Sequence, residues 1–143
     1  MTRATDPAAL DLRNTLRLAS RQRLLDECYD TVWAIAASPF CDEFQIGYTH
    51  LSGRERHAVY WKTDAYQHFA ILADKLSQAD ARWLECELQT RVKKNADEIV
   101  PFEKYHPEKK HYHYQPSTGG VLLDRSEKRC SVYMAWREGP KPW

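Results

Sequence analysis

The sequence predicts an α+β fold in which a small antiparallel or mixed sheet is flanked by helices. Its 143 residues, of which 43% are hydrophobic, suit a single domain with one buried core. Short apolar runs alternate with longer stretches of helical periodicity. The last third of the chain holds several candidate strands, and no internal repeat is visible. We therefore expect one domain over residues 1–143.

The first element is predicted to be a helix over residues 7–27. Asp6 before Pro7 is the pattern of an N-cap followed by the first helical position. Residues 32–36 form a short apolar run, which we interpret as a buried strand. After a turn that contains a proline, residues 43–47 are predicted to form a second strand, close enough to pair with the first as a hairpin.

A helix is predicted from Ser52 to about Lys62, followed by a strand over residues 66–72. Ser77 begins a pattern that resembles a capping box, and it opens the most strongly patterned helix, which ends near Lys94. The polar, proline-containing stretch after it is expected to be irregular. The predicted parts are the N-terminal helix 7–27, a central core 29–95, and a β-rich extension 105–137 with candidate strands at 110–115, 120–123 and 130–136.

Composition excludes some classes of protein and leaves others open. No stretch approaches the length of a membrane span and the start lacks an apolar signal region, so we expect a cytoplasmic protein without membrane contact. The four cysteines lack CxxC spacing and are expected to be reduced thiols: Cys28, Cys41, Cys86 and Cys130. The net charge of +1 neither supports nor excludes a polyanionic partner.

One carboxylate on the helix after Ser77 faces an unexpected direction. The apolar side chains of this helix share one face: Ala81, Leu84, Leu88 and Val92. At 100° per residue, Glu85 lies at the edge of that face, about 40° from Ala81. An inward carboxylate costs free energy unless it is paired, hydrogen-bonded or bound to a metal ion. From geometry alone, a partly buried salt bridge, for example with Arg56, is the favoured interpretation, and a metal site is the alternative.

Arg56 is the corresponding feature of the helix after Ser52. It shares a face with Val59 and Tyr60, so its guanidinium is expected to look inward near apolar neighbours. A guanidinium placed opposite a carboxylate suits phosphate recognition and the stabilisation of negative charge. A structural ion pair is the simpler alternative.

These residues form an ordered set along about half of the chain, from residue 29 to residue 92. The set comprises Val32-Trp33-Ala34-Ile35, then Phe44-Gln45-Ile46-Gly47-Tyr48-Thr49, then Arg56, and finally Ala81-Arg82-Trp83-Leu84-Glu85. In this order it resembles the GIY-YIG nuclease superfamily, and most closely the divergent branch whose second motif reads x-I-G-x-T.

The resemblance implies a small sheet flanked by helices and the hydrolysis of nucleic-acid phosphodiesters, with DNA the expected substrate. It also implies one divalent cation, Mg²⁺ or Mn²⁺, as cofactor. Glu85 would bind this cation through oxygen, which hard cations prefer. Arg56 would stabilise the charge that develops in the transition state.

The chain departs from the family at both signature tyrosines, because Trp33 and Gln45 occupy their positions. Neither side chain can act as a general base. Tyr48, which follows the motif glycine, and His57 are the candidates to replace them, although a surface or core role is the favoured interpretation of each residue taken alone. The candidate catalytic residues are therefore Arg56, Glu85, Tyr48 and His57.

Basic residues provide candidate contacts to phosphates. They are Arg17, Arg21, Arg54, Lys62, Lys93 and Lys94. A solvated helix face explains such residues equally well. Farther along the chain, His106, His111 and His113 lie among tyrosines; they are compatible with zinc or with base stacking, but a strand with one polar face is the favoured interpretation.

Three functions remain open at this point. The first is a metal-dependent endonuclease. The second is a catalytically inactive domain that binds nucleic acid on the same scaffold. The third is a protein-interaction or inhibitor module with a protein partner. Cleavage, salt-dependent binding without cleavage, and a tight protein partner distinguish them.

Overall fold

A computed structural model describes residues 10–11, 21–50, 66–94, 99–107 and 129–139. Within these ranges the chain forms three helices, α1 (Arg21–Ala36), α2 (Gln78–Lys94) and α3 (Ile99–Lys104). It also forms four strands, β1 (Leu10–Asp11), β2 (Glu43–Thr49), β3 (His68–Leu76) and β4 (Cys130–Arg137). The predicted α+β class, a small sheet flanked by helices, is confirmed. None of the helices in these ranges has the length and apolar character needed to cross a membrane.

The sheet has the strand order β1-β3-β4-β2. The last of the described strands, β4, lies between β2 and β3 and is antiparallel to both. The two residues of β1 add a short parallel pairing to the outer side of β3. Because β2 is the last strand in this order, one edge of its backbone faces away from the sheet.

The central position of β4 follows from its residues, which are apolar on both of its faces. Every residue from Val132 to Trp136 is buried. A strand buried on both sides reads as a continuous apolar run, not as an alternation of apolar and polar residues. On one face of the sheet, Phe69 of β3 stacks against Tyr133 of β4 with ring centroids 4.7 Å apart.

The main core lies between the other sheet face and the helices α1 and α2. The two helices are also joined at their surface by two ion pairs, Arg21–Asp80 and Arg91–Asp26, with N–O distances of 2.7 and 2.8 Å. The Arg91 guanidinium also lies over the Tyr29 ring. Exposed pairs of this kind contribute little free energy individually, so the packing of the apolar faces is the main source of stability.

The predicted strand at residues 32–36 is wrong, because this segment forms the last turn and a half of α1. Buried residues recur every four positions along that helix: Leu24, Cys28, Val32 and Ala36. This helical spacing extends across the short apolar run, which on its own does not distinguish a strand from a helix. The predicted hairpin is wrong for the same reason, and the actual partner of β2 is β4.

The predicted N-terminal helix over residues 7–27 is also wrong in part. Leu10 and Asp11 pair with Ala70 and Ile71 of β3, so tertiary pairing overrides the local helical pattern there. The helix that is observed, α1, begins at Arg21 and continues beyond residue 27. Residues 12–20 lie outside the described residues.

The remaining predictions for the described residues are confirmed at the level of element type. The strands predicted at 43–47, 66–72 and 130–136 correspond to β2, β3 and β4, and the helix after Ser77 corresponds to α2. Ser77 caps this helix, since its Oγ accepts a hydrogen bond from the Asp80 N–H at 3.1 Å. The prediction of an irregular stretch after α2 is wrong for Ile99–Lys104, which form α3 with a proline in the first turn, where a helix tolerates one. The helix predicted at 52–62 and the strands at 110–115 and 120–123 lie outside the described residues.

Candidate functional site

The outer edge of β2 is where Glu85 and Tyr48, the two described candidate catalytic residues, meet. In the antiparallel pairing with β4, alternate residues of β2 direct their backbone groups away from the sheet. Those groups belong to Phe44, Ile46 and Tyr48, as their hydrogen-bond partners outside the sheet show. Buried backbone N–H and C=O groups need hydrogen-bond partners. The groups packed against this edge therefore contribute to the stability of β2.

Helix α2 supplies two of these partners from consecutive turns. Glu85 is 0% exposed, and its Oε2 accepts the backbone N–H of Tyr48 at 3.1 Å. Gln89 is 1% exposed, and its Nε2 donates to the backbone oxygen of Ile46 at 3.0 Å. The inward direction predicted for Glu85 is therefore confirmed, and its carboxylate contacts the strand that carries the Ile-Gly-Tyr-Thr sequence.

The segment after α3 supplies the other two partners. The backbone N–H of His106 donates to the Phe44 oxygen at 2.8 Å. The Ile46 N–H donates to the Tyr105 hydroxyl at 3.4 Å, and the Tyr105 ring packs edge-on against Phe44. The outer edge of β2 is thus covered from Phe44 to Tyr48 by groups from two different parts of the chain.

Two further hydrogen bonds orient the side chains at this edge. Lys93 donates through Nζ to Oε1 of Gln89 at 3.2 Å, which leaves the amide NH₂ facing the Ile46 oxygen. Gln78, the first residue of α2, donates to the Tyr48 hydroxyl at 3.4 Å. Tyr48 is 7% exposed, so its phenol forms part of the packing between β2 and α2.

Of the four candidate catalytic residues, the described structure contains Glu85 and Tyr48. They meet through the Tyr48 backbone, whereas the Tyr48 hydroxyl is engaged with the start of α2. Arg56 and His57 lie outside the described residues.

The residues around Glu85 can be tested for their fit to a divalent cation. A carboxylate oxygen is the correct donor type for Mg²⁺, but Mg²⁺ usually retains several waters and takes one or two carboxylates. Glu85 has no exposed surface through which a hydrated ion could approach, and its Oε2 already accepts a hydrogen bond. In the ranges that the structure describes, no group of three or more His, Cys, Asp or Glu residues could hold a metal ion. The full burial of Glu85 therefore argues against a hydrated cation at this carboxylate.

The positions of the two missing family tyrosines lie on different kinds of element. Trp33 is on helix α1, whereas Gln45 is a buried residue of strand β2. The structure also places a phenol that the sequence analysis did not single out, since Tyr133 of β4 lies directly opposite Gly47. No local pattern indicates Tyr133, because the pairing of β2 with β4 joins distant parts of the chain.

Comparisons with protein-family models, with curated proteins and with solved structures found no match for this chain. The relation to GIY-YIG domains therefore stays a hypothesis that rests on the residues of the chain itself.

The predicted phosphate-binding residues differ in how strongly they are already engaged. Arg21 is paired with Asp80 and lies over the Trp83 ring at 5.0 Å. Lys93 is bonded to Gln89, as described above. Lys94, at the end of α2, is exposed and has no ion-pair partner within the described ranges. Arg17, Arg54 and Lys62 lie outside those ranges.

A second polar cluster lies at the end of the sheet where β2 begins. The Arg137 guanidinium pairs with Oε1 of Glu43 at 2.7 Å, and the Tyr66 hydroxyl donates to Oε2 of the same carboxylate at 2.8 Å. Glu43 and Arg137 are opposite each other in the ladder between β2 and β4. This cluster was missed because the pairing of these two strands was not predicted.

Two other residues with potentially reactive side chains, Cys41 and His106, are buried in the fold. Burial raises the pKa of the Cys41 thiol from its ordinary 9.0 to about 12, against a smaller lowering by the Lys104 ammonium. Cys41 is therefore protonated at neutral pH and is a poor nucleophile. His106 is 8% exposed and joins the β2 edge through its backbone. His111 and His113 lie outside the described residues.

Proposed function

We propose that this chain is a GIY-YIG-like domain that binds nucleic acid without cleaving it. The observation that carries the proposal is the environment of Glu85, the position at which the resemblance implies a cation ligand. Its carboxylate is fully buried and accepts the backbone N–H of Tyr48. A role in holding β2 accounts for a carboxylate at this position without any cation.

The positions of the signature tyrosines support the same proposal. Gln45 cannot act as a general base, and Trp33 cannot do so either. Trp33 also lies on α1, away from the strand pairing in which the family's first motif would place it. The remaining described phenol of the motif, Tyr48, is nearly buried against α2.

The C-terminal end of α2 is the described surface that best suits a phosphate backbone. Its last turn carries Arg91, Lys93 and Lys94. Arg91 is partly neutralised by Asp26, and Lys93 is turned toward Gln89. Lys94 is exposed, so its charge is the one most accessible to a nucleic acid.

Binding to labelled single-stranded DNA, duplex DNA and RNA, measured over a range of salt concentrations, tests this proposal. We expect the affinity to fall with salt, and Lys94→Ala to reduce the slope of log K against log salt by about 1. Arg21→Ala is the matched control, because Arg21 is already paired with Asp80 and should change the slope less. An affinity independent of salt, or absent for all three ligands, would contradict the proposal.

A metal-dependent endonuclease, which the resemblance implies directly, is the second candidate. One observation favours it: α2 brings Glu85 against the strand with Ile46, Gly47 and Tyr48, so two of the three described parts of the motif set meet. Under this hypothesis, Glu85 would bind Mg²⁺ or Mn²⁺ and Arg56 would stabilise the transition state.

Incubation with plasmid, single-stranded DNA and RNA in Mg²⁺ or Mn²⁺ separates the two candidates. Cleavage by the wild type that is lost in both Glu85→Gln and Arg56→Ala would establish the endonuclease. Salt-dependent binding with no cleavage of any substrate would support the first proposal. The absence of both binding and cleavage would leave the protein-interaction module as the remaining hypothesis.

A further inference from the structure

Two neighbouring backbone groups on the outer edge of β2 end on side chains of the same helix. They are the oxygen of Ile46 and the N–H of Tyr48. In a sheet, such a C=O and N–H on alternate residues of one edge would both bind a single residue of a parallel neighbouring strand. That residue would offer its N–H to the first group and its C=O to the second.

We propose that Glu85 and Gln89 together replace one residue of a neighbouring strand. Gln89 supplies the donor that a backbone N–H would supply, and Glu85 supplies the acceptor that a backbone C=O would supply. On this proposal, Glu85 is a positioning residue for β2 and is not a cation ligand. The proposal does not depend on whether the chain binds nucleic acid.

The spacing of the two side chains matches the spacing of the strand. Residues four apart on a helix lie on one face and are separated by about 6 Å along its axis. Residues two apart on a strand are separated by about 6.6 Å. Glu85 contacts Tyr48 whereas Gln89 contacts Ile46, so this turn of α2 runs opposite to β2 and keeps both contacts in register.

Next to Ile46, toward the start of β2, the same edge is paired with the backbone of Tyr105 and His106. Phe44 forms an isolated parallel bridge with Tyr105, and His106 donates its N–H to the Phe44 oxygen. The backbone of Tyr105 and His106 therefore pairs with the edge at Phe44, and the side chains of α2 continue this pairing at Ile46 and Tyr48. An edge covered in this way offers no run of open N–H and C=O groups to another strand.

The side chains at positions 85 and 89 need different hydrogen-bonding groups, an acceptor at 85 and a donor at 89. Tyr48 offers an N–H, which either a carboxylate or an amide oxygen can accept. Ile46 offers an oxygen, which needs a donor, and a carboxylate at position 89 would place two acceptors against each other. Glu85→Gln should therefore be tolerated and Gln89→Glu should not, which is the opposite of what a need for negative charge at this site would produce.

Hydrogen exchange of individual backbone amides tests the proposal directly. The variants are Glu85→Gln, Glu85→Met and Gln89→Glu, where methionine fills similar space without an acceptor. The Gly47 amide is the internal control, because Gly47 pairs with Tyr133 of β4 and does not face α2. We expect the Tyr48 amide to keep its protection in Glu85→Gln and to exchange about tenfold faster or more in Glu85→Met.

In Gln89→Glu we expect local loss of protection at the edge or unfolding of the chain. The proposal would be overturned if Glu85→Gln unfolded the chain, or if it exposed the Tyr48 amide while Gly47 stayed protected. It would also be overturned if Glu85→Met left the Tyr48 amide as protected as in the wild type. These outcomes are independent of nucleic-acid binding, which is measured at Lys94. The two proposals share only the premise that Glu85 does not hold a cation, which the cleavage assay tests separately.

Discussion

A carboxylate inside a protein destabilises the fold unless a donor or a cation compensates it, and the Tyr48 N–H is one such donor for Glu85. Helix phase relative to Ala81 and Leu84 sufficed to predict that Glu85 faces inward, and its burial confirms this. The partner of Glu85 was not predictable, because Tyr48 is 37 positions away and its amide direction depends on the order of the strands.

The stability of variants at position 85 should follow hydrogen-bonding capacity and not charge. Glu85→Met leaves the Tyr48 N–H without this acceptor, so we expect the free energy of unfolding to fall by about 1–3 kcal/mol, and by less than about 1 kcal/mol in Glu85→Gln. Urea denaturation measures both values. Glu87→Gln is the control, because Glu87 lies on the same helix but is not among its buried residues. Equal losses in the two Glu85 variants would contradict the account.

Cys41 should make stability depend on alkaline pH. Its pKa is about 12 in the folded protein and near 9.0 when unfolded, so between these values the unfolded chain has released a proton that the folded chain retains. The stabilising effect is complete below pH 9 and is lost as the pH rises, by about 1.4 kcal/mol per pH unit. Urea denaturation at pH 8 and pH 10 should show a smaller decrease for Cys41→Ala than for the wild type; parallel decreases would contradict this.

At the scale of elements, local patterns predict the elements with strong periodicity. They fail where a short apolar run is compatible with both a strand and a helix. The capped helix α2 was predicted because Ser77 and a regular apolar face agree with each other. The C-terminal part of α1 was mistaken for a strand because Val32 to Ala36 is apolar without interruption. The four-residue spacing that extends back to Leu24 identifies the helix, but only over a longer window.

Opening the edge of β2 should change how the protein associates. In the double variant Glu85→Met with Gln89→Met, the groups of Ile46 and Tyr48 lose their side-chain partners and become available to another strand. We expect a shift to larger species relative to the wild type in analytical ultracentrifugation. The single variant Glu87→Gln is the control, and a double variant with unchanged association and unchanged stability would argue against edge closure.

At the scale of the whole molecule, strand β4, which comes late in the chain, joins β2 and β3 into one sheet. Because β4 lies between β2 and β3, pairings across more than 50 residues complete the sheet. Composition and the alternation of elements predicted the α+β class. The pairing partners were not predictable, since β4 lies far from both of its neighbours in sequence and each strand could have paired locally.

Removal of β4 should therefore abolish folding and not merely trim the protein. A chain that ends at residue 128 lacks the strand that pairs with both β2 and β3, and its sheet would be split into separate pieces. We expect no cooperative thermal transition by circular dichroism. A cooperative transition in the truncated chain would show that the central role of β4 is wrong.

The central claim is that the carboxylate of Glu85 holds β2 and does not hold a cation. Titration of Mn²⁺ into the isotope-labelled protein tests it most directly, because a bound paramagnetic ion broadens the amide signals of nearby residues. The account predicts that the Tyr48 and Glu85 signals of the wild type behave like those of Glu85→Gln, with no selective broadening. Broadening centred on these two residues in the wild type, and absent from Glu85→Gln, would contradict it.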